Sequence, residues 1–238
     1  MLKLIEGHKP DIRYLFEIKE LLYDKTWEDR ADNFELYHMY RDLSESKEDY
    51  EKILSSRLRY DITIIPSNML GCEYVKTAGH YHPKFPGSSL SYPEIYEVIE
   101  GNAIYLMQKE DQSSVYYVSA NPGDKVIIPP NYGHITINAS SNRLVMGNWV
   151  CRDFSSIYEQ IKEKKGGVYY FTTSGWVKNS NYEDCPPLRE VPVCSYEFLG
   201  IKDAPMYSLI NNIDVLKFLS SLDCLYSLLE QIQVVEKQ

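Results

Sequence analysis

Thr77-Ala78-Gly79-His80-Tyr81-His82, followed by Glu94-Ile95-Tyr96 and by Pro129-Pro130-Asn131-Tyr132-Gly133-His134, is the part of the sequence on which the fold turns. These segments hold three of only five histidines in 238 residues. Residues two apart on a strand point to one face, so the imidazoles of His80 and His82 converge. Glu94 opens an apolar run that ends at Gly101, and His134 heads another that ends at Asn138. Neighbouring strands thus supply a carboxylate and a third imidazole. Three imidazoles and one carboxylate suit a transition ion, whereas calcium and magnesium prefer oxygen shells. The expected cofactor is one divalent transition metal ion per chain (iron, manganese, nickel, cobalt or zinc) on His80, His82, Glu94 and His134. An octahedral ion with four protein ligands keeps two positions open, which suits a substrate that binds through two oxygens.

Glu94 is followed by six residues and then Gly101; Gly123 is followed by five residues and then Pro129, with Gly133-His134 and Asn138 beyond. These two blocks resemble the paired motifs of the cupin superfamily. The resemblance implies a mainly β fold, a cupin double-stranded β-helix (jelly-roll) barrel. Within the superfamily, the three quoted segments resemble the cupin-type glucose-6-phosphate isomerases. Tyr37-His38-Met39-Tyr40 and Ile62-Thr63-Ile64-Ile65-Pro66 are similar to segments that precede the first motif there, and Gln108 falls at the family's glutamine. The resemblance runs over roughly residues 12 to 180. It implies a cytoplasmic homodimer that interconverts glucose 6-phosphate and fructose 6-phosphate on a divalent metal.

Carried over by position, His80, His82, Glu94 and His134 match the family's metal ligands. Thr63, Thr77 and Gly79 match residues that hold the sugar phosphate, and Tyr37 and Tyr96 match substrate-facing tyrosines. Hydroxyls and a glycine N–H beside a metal are also, on chemistry alone, a set of donors for a dianion. The chain departs from the family twice. The stretch from Pro83 to Pro93 is longer than its counterpart, and its Pro, Gly and Ser content is loop chemistry, read as a lid or a change in which sugar fits. Beyond His134, Trp149 and Arg152 stand where the family has a tyrosine and a histidine, and both are assigned to substrate, Arg152 as a phosphate partner.

In an aldose–ketose isomerisation, a metal on two neighbouring oxygens polarises the carbonyl and a base moves the proton. Glu94 is the candidate ligand or base. Tyr96, two residues along the same strand, orients a hydroxyl or relays a proton. Glu97 faces the other way and is read as solvated or dimer-facing. Two other readings remain open: an iron-dependent cupin dioxygenase, which would consume oxygen, and a non-catalytic sugar-phosphate-binding cupin, which would bind without turnover.

A formal charge of −9 disfavours nucleic acid as a partner and leaves capture of an anionic substrate to local donors. No stretch approaches the roughly 20 apolar residues of a membrane span, and the first residues lack a signal-peptide core, so the expectation is a cytoplasmic protein. Cys72, Cys151, Cys185, Cys194 and Cys224 are odd in number and without Cys-x-x-Cys spacing, which predicts free thiols. Three regions are expected: an N-terminal arm over 1–56, the barrel over 57–180 and a C-terminal extension over 181–238. Leu15, Ile18, Leu21 and Leu22 have helical spacing in a helical or extended arm. Val215, Phe218, Leu219, Leu222, Leu225, Leu229 and Ile232 form one apolar stripe, predicting an amphipathic helix that packs on the same chain.

Overall fold

A computed structural model describes residues 2–196, 200 and 204–235. The arm carries β1 (Asp11–Tyr14), α1 (Lys25–Glu28) and β2 (Glu35–Tyr40). Leu15, Ile18, Leu21 and Leu22 are all buried, but in two short 3-10 turns rather than one helix. Of the helical or extended alternatives, the arm opens extended, with β1 paired to β2, and continues in these turns. Helix α2 (Lys47–Ser55) begins at Ser46, whose hydroxyl accepts from the Asp49 amide and satisfies a free N–H of the first turn. β3 (Leu58–Ile65) follows, then the two-residue strands β4 (Met69–Leu70) and β5 (Glu73–Tyr74).

The centre of the chain is β6 (Glu94–Glu100), β7 (Ala103–Lys109), β8 (Val115–Ala120), β9 (Lys125–Ile128), β10 (Tyr132–Ile137) and β11 (Leu144–Cys151). After them come α3 (Glu159–Glu163), β12 (Tyr169–Thr172), β13 (Gly175–Lys178), β14 (Arg189–Glu190) and α4 (Leu222–Val235). One sheet has the order β1-β2-β3-β11-β6-β9, and a second has β10-β7-β8-β14. From β6 to β11 the chain passes back and forth between the two sheets in antiparallel pairs, which is the connectivity of the double-stranded β-helix barrel. A third small sheet, β13-β12-β5-β4, closes one side. Gly101, the glycine of the first motif, has φ +82, and a Cβ there would collide with the Arg143 carbonyl oxygen. The tight β6–β7 turn therefore needs a residue without a side chain.

The pleat divides the six-stranded sheet into two environments. Side chains such as Tyr96, Val98, Met146 and Ile128 point into the space between the sheets. Tyr60, Ile62, Ile95, Val145 and Trp149 point outward into a second core, which the C-terminal extension covers with Met206, Leu209, Leu216 and Leu225. The extension is thus seated on its own chain, as expected. Its helix is not continuous: a 3-10 segment spans Met206–Leu219, the chain breaks at Ser220, and α4 follows. Ser220 is taken out of the helix by its bonds to the barrel, its hydroxyl donating to Ser56 O and its carbonyl accepting from Arg57. Ile232 of the predicted stripe lies outside the described side chains. Among the described residues no helix is long and apolar enough to cross a membrane, and all five cysteines are free.

Candidate metal centre and substrate cavity

His80 and His82 lie on an extended segment that joins β10 through an antiparallel bridge between His80 and His134. Gly79, just before them, has φ +75, the left-handed turn that brings the pair into the barrel. Glu94 begins β6 and His134 sits early in β10, so the four side chains come from three elements on both sheets. One ligand atom from each lies within 4.8 Å of all the others. His80 Nε2 and His82 Nε2 are 3.1 Å apart, and Glu94 Oε2 is 3.4 Å from His82 Nε2 and 3.5 Å from His134 Nε2. An ion about 2.1 Å from each of two adjacent ligands separates them by about 3.0 Å, so the spacing fits a transition ion.

The hydrogen bonds agree with that use. His82 Nδ1 is 2.9 Å from the Tyr92 carbonyl oxygen. A carbonyl only accepts, so Nδ1 carries the proton and the Nε2 lone pair is left for an ion. Asn148 Nδ2 donates to Glu94 Oε1 at 2.6 Å, which turns Oε2 toward the histidines. Glu94 Oε2 and His134 Nδ1 are buried without a hydrogen-bond partner among the described residues. A buried carboxylate oxygen without a donor is costly, and a cation removes that cost. Burial pushes Glu94 up to about 8 and His82 down to about 4; burial and the neighbouring imidazoles also hold His80 well below the usual histidine range. His134 shifts the same way for the same first reason. Neutral imidazoles are the form that binds metal.

The cluster opens into a cavity of about 310 Å³. Of the residues singled out in the sequence, Tyr37, Thr63, Thr77, Gly79 and Tyr96 line it together with His80, His82, Glu94 and His134. Tyr96 Oη is 3.2 Å from His134 Nε2, and burial raises Tyr96 well above the usual tyrosine range. Thr77 Oγ1 accepts from the Thr136 amide at 3.0 Å, and Tyr37 Oη from the Ala78 amide at 3.2 Å, so both hydroxyl protons remain to be donated.

Four expectations are corrected. Trp149 does not reach the cavity: on β11 the inward positions are Asn148 and Val150, and Trp149, fully buried, donates Nε1–H to Met206 O beside Tyr60 and Tyr207. Arg152 is also outside, bonded to Leu58 O and the Asp42 carboxylate. Glu97 does face away from the site but is neither solvated nor free; the extension buries it against Lys125 at 3.2 Å and the Met206 amide at 2.9 Å. The Pro83–Pro93 loop gives the cavity no side chain, because Phe85 and Tyr92 pack against each other and Tyr92 stacks on Phe154. Sequence reasoning missed Arg41, Arg59, Asp61, Asn148 and Tyr158, all of which line the cavity. The alternation Arg59-Tyr60-Asp61-Ile62-Thr63 held the signal, since every second residue is polar.

A family profile described as "Glucose-6-phosphate isomerase (GPI)" matches residues 16–187. The chain belongs to the glucose-6-phosphate isomerase family. Curated relatives with that name include one from Pyrococcus furiosus, 25% identical over 178 residues that cover 74% of this chain and 87% of the relative. Another, from Thermococcus litoralis, is 26% identical over 164 residues, covering 68% and 80%. Family membership makes the chain an isomerase, and its strand connectivity is that of the double-stranded β-helix barrel. Among solved structures, Bacillus subtilis oxalate decarboxylase is similar at 16% identity and a TM-score of 0.39, over 52% of this chain and 28% of that one. Peruvianin-I, a cysteine peptidase of Thevetia peruviana latex, is similar at 17% identity and a TM-score of 0.31, over 39% of this chain and 48% of that one.

Proposed function

We propose that the chain interconverts glucose 6-phosphate and fructose 6-phosphate on one divalent transition ion held by His80, His82, Glu94 and His134. The observation that carries this reading is the donorless Glu94 Oε2, buried among three imidazole nitrogens at the wall of a sugar-sized cavity. When bound, the ion supplies Lewis acidity at the substrate's carbonyl and neighbouring hydroxyl oxygens. Asn148 fixes Glu94 so that Oε2 is its ligand atom. The Tyr96 hydroxyl keeps its proton and donates it as a hydrogen bond to the reacting oxygens, close to His134. Tyr37, Thr63, Thr77 and the backbone of Gly79 form the phosphate end. The resemblance to the family supports a cytoplasmic homodimer as the working form.

The test is a coupled assay for glucose 6-phosphate formed from fructose 6-phosphate, on metal-stripped protein and after adding back iron(II), manganese, nickel or zinc. Turnover is expected to be absent in stripped protein and restored by at least one ion. Full turnover without metal would remove the metal from the mechanism. Binding of fructose 6-phosphate without turnover under any ion would favour the non-catalytic cupin, and oxygen consumption with iron would favour the dioxygenase.

A further inference from the structure

Tyr37, Thr63 and Thr77 are neutral donors, a chain of net charge −9 provides no broad positive field, and Arg13, which meets the Tyr37 hydroxyl, does not line the cavity, so a dianion at that end gains from a cation in the cavity wall. We propose that Arg41 is the cationic contact for the substrate's phosphate group, aimed by Asp11 and Asp61. This inference rests on the sugar-phosphate reading above and names a residue outside the set carried over from the family.

Arg41 lines the cavity immediately after β2. Two carboxylates hold its guanidinium: Nε donates to Asp11 Oδ2 at 2.9 Å, and Nη1 lies 3.6 Å from Asp61 Oδ2. Asp61 is itself fixed, accepting from Arg59 Nε at 2.9 Å and from the Asp42 amide at 2.9 Å. Nη2, which shares an edge with Nε, meets the Met39 sulfur at 3.1 Å. Met39 is the register partner of Thr63 on the neighbouring strand. A thioether is a weak acceptor, which leaves strong cationic N–H groups underused at the cavity wall. A phosphate oxygen is the acceptor that matches them, and a guanidinium already held by two carboxylates presents its remaining Nη hydrogens with little loss of freedom. Arg59 is the wrong candidate. It stands four residues from Thr63 along β3, about 13 Å away, with its Nε committed to both oxygens of Asp61.

The experiment compares binding of fructose 6-phosphate with that of unphosphorylated fructose, by calorimetry on metal-loaded protein, in wild type, Arg41→Met and Arg41→Lys. Arg41 is 37% exposed, so both variants should fold, with metal content and thermal midpoint as controls. Wild type is expected to prefer the phosphorylated sugar. Arg41→Met should reduce that preference by about 10-fold to 100-fold, the weight of one charge-assisted contact, and Arg41→Lys should recover part of it. KM should rise in step while kcat stays within about 3-fold of wild type, because binding rather than chemistry is lost. An unchanged preference in Arg41→Met overturns the assignment. Wild type that prefers the phosphorylated sugar through Arg41 yet never isomerises it would overturn the proposed function and leave this contact standing.

Discussion

Glu94 and Glu97 stand three residues apart on one strand, each 3% exposed and each with its acidity weakened by burial, yet they have opposite fates. Glu97 is closed off, its carboxylate satisfied by Lys125 and the Met206 amide under the C-terminal extension. Glu94 has one oxygen tied to Asn148 and the other facing three imidazoles without a hydrogen-bond partner among the described residues. Burial is the same on both faces of the sheet; the difference is whether the polar groups are completed by the chain itself. An incomplete buried group marks the face built for something from outside.

The comparison breaks most sharply at Glu94. Glu94→Gln keeps shape but removes the ligand charge, and turnover should fall by about 1,000-fold or more with loss of bound metal, measured by assay and elemental analysis. A Gln variant that keeps its full metal content would show that the two glutamates are alike after all. On the outer face the expected loss is in stability. Trp149→Ala should cost about 3–5 kcal/mol in denaturant unfolding, because the indole packs between Tyr60 and Tyr207 and caps Met206 O. Normal stability with a raised KM would return Trp149 to the cavity. The smallest effect belongs to Arg152. Its ion pair with Asp42 is partly exposed, so Arg152→Ala should change stability by about 0–1 kcal/mol and leave KM within about 2-fold. A tenfold rise in KM would restore its role at the phosphate.

The barrel and the ion cluster were legible because period and ligand chemistry pointed the same way. β11 was misread by one position for a physical reason. All eight of its residues are buried, so no polar alternation fixes which are inward, and its register against β6 shifts between Val145 and Met146. Arg41 and Asp61 adjoin the quoted segments Tyr37–Tyr40 and Ile62–Pro66, but what joins them is the pairing of β2 with β3, which no spacing along the chain displays. The 3-10 segment before Ser220 was read as α-helix because apolar spacing of three and four suits both.

The bond from His82 Nδ1 to the Tyr92 carbonyl has an evolutionary corollary. Every residue type carries that oxygen, so the acceptor does not depend on the Tyr92 side chain, whose own constraint is its packing on Phe85 and Phe154. Changes in the length of the hairpin are another matter, since one inserted or deleted residue beside Pro93 would carry the oxygen away from the ring.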